Sequence, residues 1–219
     1  MKARFLLPVL LGGCLAAALA TEPAVPPAGM KFTWIDSDDP AAADYRRVGE
    51  KFIDRIGGSL LSEIRRVFAE VGPAEAVGVL HLKNFTLPKP VAGQPSVTAI
   101  KRTSLLLCNP ANAPDGADQA ALARIKAELD SGNPPSKILL QKIDQPDGAV
   151  EWRVYRPIGV AANCLACHGD PESFEPGVSA ALRRLYPEDQ AVGYSLSAWR
   201  GLIRVSLVPA EPASPPKSP

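Results

Sequence analysis

Five consecutive residues carry the most legible chemistry in this chain: Cys164-Leu165-Ala166-Cys167-His168, inside the stretch NCLACHGD from Asn163 to Asp170. Two cysteines three apart on a helical turn point to one side, so both thiols can bond to the vinyl groups of one porphyrin. The imidazole that follows is then aimed at the iron. The pattern predicts one covalently attached haem c, with Cys164 and Cys167 as thioethers and His168 as the proximal ligand. Two other chemistries draw on the same residues. A zinc site would need a fourth ligand from Cys108 or His81, and adjacent Cys and His rarely share one tetrahedral ion. A dithiol oxidoreductase would place the C-x-x-C at a helix N-terminus, where a thiolate is stabilised.

With His168 on one side of the iron, the other side decides what the haem does. A second protein ligand gives an electron-transferring or redox-sensing centre, whereas an open or displaceable site admits small gases or peroxide. The candidates are His81, the chain's only other histidine, Cys108 at the end of the apolar run LLLC, and Met30. Cys108 also reads as a buried thiol acting as a small hydrophobe. Arg102, Arg153 and Arg156 lie on or beside predicted strands and are candidates to pair with haem propionates, as guanidinium groups do with carboxylates. No Ser-His-Asp set and no paired carboxylates stand in a recognisable frame, so the chain is not expected to be an enzyme.

The elements that must position these residues begin after an export leader. Met1-Lys2-Ala3-Arg4 is a basic start, Phe5 to Ala17 an apolar run, and Ala18-Leu19-Ala20 a small-x-small cleavage signal. Residues 1–20 are thus expected to be removed, placing the protein in the periplasm, where haem attachment of this kind occurs. Leu11-Gly12-Gly13-Cys14 also fits a lipoprotein site, and a membrane partner is expected only if Cys14 is lipidated. The whole chain has 24 Lys and Arg against 23 Asp and Glu; losing Lys2 and Arg4 with the leader makes it slightly acidic. No nucleic-acid partner is expected from that balance. Cleavage leaves Cys108, Cys164 and Cys167, an odd number that argues against a simple disulfide framework.

Residues 21–40 read as a Pro/Ala-rich tether, with folded chain starting near Lys31, residues 41–208 as the haem domain, and 209–219 as a disordered tail. Inside the domain, Tyr45, Val48, Phe52, Ile56, Leu60, Ile64, Val67, Phe68 and Val71 recur every three or four residues, which predicts a long amphipathic helix. Gly72-Pro73 stops it and opens a short second helix over 74–82 that carries His81. Strands are predicted over 102–107, 137–143, 150–155 and 201–208, the middle pair joined by the turn Gln145-Pro146-Asp147-Gly148. A helix is predicted over 117–130. These make an α+β domain, an antiparallel sheet with helices to one side.

Four segments carry a resemblance: GPAEAVGVLHL (72–82), KRTSLLLCNPANAPD (101–115), WRVYRPIGVAANCLACHGDP (152–171) and GYSLSAWRGLIRVSLVP (193–209). In order and spacing they resemble a family of exported single-haem c-type domains with a PAS-like fold, long labelled a domain of unknown function and also found as the sensory part of bacterial signalling proteins. The resemblance implies a PAS-like antiparallel sheet preceded by a long helix, with the haem between them. It also exposes two departures. The family commonly has a Cys after the Gly-Pro helix, a natural second axial ligand, where this chain has Leu80 followed by His81. Its usual Arg before NPANAPD is here Cys108. One residue turns a helical side chain by about 100°, so His81 substitutes for that ligand only if the helix is re-registered.

The expectation is therefore a periplasmic monohaem c-type protein that transfers electrons to an unidentified redox partner or senses redox state. The other reading is a haem-based gas or redox sensor with an open or displaceable sixth site.

Overall fold

The computed structural model describes residues 31–81 and 86–210, with only the backbone of His81. The leader, Cys14, Met30 and the tail beyond residue 210 lie outside the described residues. In chain order the elements are β1 (Lys31–Ile35), α1 (Ala43–His81), β2 (Ser96–Thr103), α2 (Gly116–Asp130), β3 (Leu139–Asp144), β4 (Val150–Gly159), α3 (Leu165–His168), α4 (Val178–Leu185) and β5 (Trp199–Val208). The five strands form one antiparallel sheet in the order β1-β3-β4-β5-β2. The architecture is α+β, a long N-terminal helix against an antiparallel sheet, as the sequence predicts.

Alternation along the central strands sends neighbouring side chains to opposite faces. Trp152 and Val154 of β4 and Ile203, Val205 and Leu207 of β5 face α1, where they pack on Val48 and Ile53. Tyr155, Leu139 and Leu202 face α2 and pack on Ala121, Leu122 and Ile125. Helices thus cover both faces of the sheet, not one as the sequence order suggests. On the α1 side, Tyr45 stacks on Trp152 with ring centroids 4.2 Å apart and planes 12° from parallel. The helix approaches so closely because Gly49 has no side chain: a Cβ there would lie 2.5 Å from Val154 Cγ2. Gly49→Ala is therefore expected to destabilise the fold by about 1–3 kcal/mol through overpacking, read as a lowered urea midpoint with unchanged slope.

The break at Gly72-Pro73 is real. Gly72 has φ 75° and ψ 169°, outside the helical region and accessible chiefly to glycine, so α1 is two helices joined at an angle. The second piece, from Pro73, turns away from the sheet to meet α4: Ala74 and Val77 pack with Val178, Ala181, Leu182 and Leu185.

Two strand assignments differ from the sequence reading. Lys31–Ile35, assigned to the tether, is an edge strand paired residue by residue with β3, Phe32 opposite Ile143 and Trp34 opposite Gln141. The strand expected over 102–107 runs instead over Ser96–Thr103. Beyond Thr103 the backbone turns, with Ser104 Oγ donating to Leu106 O at 2.7 Å. Leu105 and Leu106 are left on the surface, 48% and 43% exposed. The hairpin at Gln145–Gly148 forms as expected, Gly148 taking φ 84°.

Candidate functional site

The C-x-x-C-H residues leave the end of β4 on a short turn, Ala162–Cys164 as a 3-10 turn running into α3. Backbone hydrogen bonds clamp this turn against the loop before β5: Val160 N–H to Ala198 O at 2.9 Å, Tyr194 N–H to His168 O at 2.9 Å, and Gly193 N–H to Gly169 O at 2.7 Å. The helix is one turn long, so the spacing of three that separates Cys164 from Cys167 places both on its same side. Cys108, Cys164 and Cys167 are free thiols, each half-buried. Cys167 packs into the apolar cluster formed by the second piece of α1 and by α4, beside Val77, Ala181, Leu182 and Phe174.

His168 is oriented by its own backbone surroundings. Its Nδ1 lies 2.7 Å from the carbonyl oxygen of Ala191. A carbonyl only accepts, so Nδ1 carries the hydrogen and the neutral ring keeps its lone pair on Nε2. That is the tautomer an iron ligand needs, held as metal-bound histidines usually are held by their outer neighbours. Burial, then the Arg200 guanidinium, hold His168 below the ordinary histidine value, while the Ala191 bond and Asp189 pull the other way.

Cys167 and Cys108 are kept protonated. Burial, then the Asp189 carboxylate, push Cys167 up to about 11 and Cys108 up to about 12, with the Arg200 charge opposing the rise at Cys108. Neither Cys167 nor Cys108 thus has the lowered value of an oxidoreductase's attacking thiol. Among the described residues, no three His, Cys, Asp or Glu side chains are arranged to hold a metal ion, as a zinc site built with Cys108 would require.

The structure separates the candidate arginines. Arg102, on the α1 face near the end of β2, lies in the electrostatic neighbourhood of Cys108, Cys164 and Tyr186; burial, then the Arg200 guanidinium, lower its pKa. Arg153 is on the α2 face instead. Its Nη1 donates to both oxygens of Asp115 at 2.8 Å and its Nε to Glu151 Oε1 at 2.7 Å. Strand alternation and the charge of α2's first turn assign Arg153 to a structural cluster rather than to the motif. Arg156 faces α1 and is paired with Asp54 on that helix. The side chain of His81 lies outside what is described; its backbone closes α1.

Two residues near the motif carried no signal in the sequence. Arg200, at the start of β5, donates from Nη1 to Leu106 O at 2.9 Å and stands over the Tyr194 ring at 5.1 Å. Asp189 sits in the loop after α4, where its Oδ1 accepts from Ala191 N–H at 2.8 Å. Asp189 lies in irregular chain and Arg200 in the first residues of β5, ahead of the strand predicted over 201–208, so no periodicity marks either; only the GYSLSAWR segment of the resemblance covers Arg200.

The comparisons with known proteins place this geometry in a class. The chain belongs to the Tll0287-like family, whose family model matches residues 69–208, well over half of its length. The four segments that carried the resemblance fall within that span but for the last residue. Among solved structures, the cyanobacterial heme-protein Tll0287 is similar at 24% identity, over 52% of this chain and 63% of that one, with a TM-score of 0.39. The match thus spans less than two thirds of that structure. No curated protein matches this chain.

Proposed function

We propose that the protein is a periplasmic, single-haem c-type protein of PAS-like fold that transfers electrons or reports redox state, and is not an enzyme. The observation that carries this reading is His168, its Nδ1–H given to Ala191 and its Nε2 left for iron, on the same helical turn as two free thiols. Membership of a family named after a protein described as a heme-protein supports it. The residues present fit the group: Cys164 and Cys167 would form the thioethers, His168 would ligate the iron, and Arg102 with Arg200 would meet the propionates. Leu105 and Leu106, exposed in the loop that Arg200 pins, offer apolar surface for a porphyrin edge. When bound, the haem supplies a one-electron iron couple whose potential its ligands and surroundings set.

Position 81 is the proposed second ligand. Ala74 and Val77 pack on the cluster that holds Cys167, and position 81 follows them by seven and four residues, on the same helical face. The one-residue offset from the family's cysteine therefore does not by itself remove it from that side. Mature protein made with a haem-attachment system is expected to give a thioether-type pyridine haemochrome band; its absence sinks the proposal. His81→Ala is expected to turn a low-spin spectrum high-spin and to let the reduced protein take up carbon monoxide. A His81→Ala spectrum that stays low-spin removes His81 as ligand, and rapid carbon monoxide binding by wild type favours the gas-sensor reading.

A further inference from the structure

The turn that holds His168 is itself held by a carboxylate. Asp189 Oδ1 accepts from Ala191 N–H at 2.8 Å, and the carbonyl of the same Ala191 accepts from His168 Nδ1 at 2.7 Å. One buried residue, 0% exposed, thus joins the carboxylate to the imidazole. The turn is fastened on two more sides: Asp189 N–H donates to Tyr186 O at 3.0 Å, and Gln190 N–H to Leu107 O at 2.8 Å, beside Cys108. The second oxygen, Oδ2, is buried with no hydrogen-bond partner among the described residues. A turn cap needs one acceptor and no charge, so serine would serve without the carboxylate that here also meets the Cys108 thiol. The carboxylate's field reaches Cys108, Cys167, Tyr186 and His168, and Arg200 and Arg102 oppose it at the histidine.

We propose that Asp189 is a positioning residue for the axial histidine: through Ala191 it fixes the plane of the His168 ring, and its negative charge favours the oxidised iron. This rests on the reading of His168 as an iron ligand. The two contributions separate chemically. Asparagine keeps an oxygen for Ala191 N–H and loses the charge; alanine loses both.

The experiment uses the full chain loaded with haem. Asp189→Asn is expected to raise the reduction potential while leaving the g-values of the oxidised haem and the nitrogen-15 shifts of His168 as in wild type. Asp189→Ala is expected to raise the potential and also to move the g-values and the Nδ1 shift, as the ring loses its fixed acceptor. An unchanged potential in Asp189→Asn overturns the electrostatic part, and an unchanged His168 signature in Asp189→Ala overturns the positioning part. The haemochrome band of wild type reports separately on the haem reading. Were that band missing, the nitrogen-15 shifts of His168 in the unloaded chain still decide the positioning, with loss of the Nδ1–H tautomer in Asp189→Ala as the expected result.

Discussion

Cys164→Ala/Cys167→Ala protein, made with a haem-attachment system, is expected to release all its haem into acidified organic solvent, while wild type retains all of it. The expectation follows from position. Both thiols stand on one side of a single turn whose backbone is clamped to the loop before β5, so each can reach one vinyl group without moving the other. Single variants should keep one bond and show a haemochrome band displaced to the red, because one vinyl group remains conjugated. Cys108→Ser should keep the wild-type band: Cys108 enters from a separate loop and is not part of the turn. Haem retained by the double variant, or fully released by wild type, defeats the reading. Thiol exchange as an alternative predicts the opposite chemistry. With Cys167 pushed up to about 11, that thiol is a poor attacker at neutral pH, because the thiolate is the reactive form.

What the sequence made legible is what is local. Cys164, Cys167 and His168 are read from five adjacent residues, and their mutual geometry needs only one helical turn. The long helix, its break at Gly72, and α2, predicted at 117–130 and found at Gly116–Asp130, are likewise set by periodicity and caps over short spans. The α2 start is fixed by Asp115, whose side chain accepts from Asp118 N–H while Asp118 accepts from Asp115 N–H. Longer-range facts were not legible. Alternation along β4 puts Arg153 and Trp152 on opposite faces, but which face meets α2 and which meets the motif depends on how the sheet is covered. The carboxylates that claim Arg153 stand 38 and 35 residues away in sequence. The apolar run Leu105–Leu107 has strand composition, yet β2 ends at Thr103, opposite Leu202, and the chain turns there instead of pairing on with β5, Ser104 Oγ donating to Leu106 O. Asp189 and Arg200 act through a backbone carbonyl and through charge, neither of which leaves a pattern in residue types.

The cluster that claims Arg153 sets the largest expected stability effect. Asp118, fully buried, accepts from Arg204 Nη1 at 3.0 and 3.1 Å, from Lys101 Nζ at 3.1 Å and from Arg153 Nη1 at 3.3 Å. Tyr155, itself at 0% exposure, brings its hydroxyl to 3.2 Å from Asp118 and 3.0 Å from Gln141. Three cations meet three carboxylates here, those of Asp115, Asp118 and Glu151, so the group is balanced only while all are present. Asp118→Ala leaves an uncompensated positive charge in a buried site and is expected to cost about 3–5 kcal/mol, lowering the melting temperature by on the order of 10 °C. Asp118→Asn keeps the shape but turns an amide donor toward guanidinium donors, so it should recover little. A loss under about 1 kcal/mol in both, the range of an exposed ion pair, would mean that water reaches the cluster. The same balance fixes an acid limit. Burial alone would raise Asp115, but the hydrogen bonds from Arg153 and from Asp118 N–H, with the charges of Arg153 and Arg204, hold it at about 2. A carboxyl depressed in the folded state contributes stability that is complete above its unfolded value of about 4 and is lost as pH falls through about 2. The share of the urea midpoint that Asp115→Asn removes should therefore hold level above about pH 4 and fall below it. Because Asp118 and His168 occupy separate sites, the haem spectrum of the folded fraction should stay that of wild type in both variants, which separates anchoring of α2 from assembly of the motif.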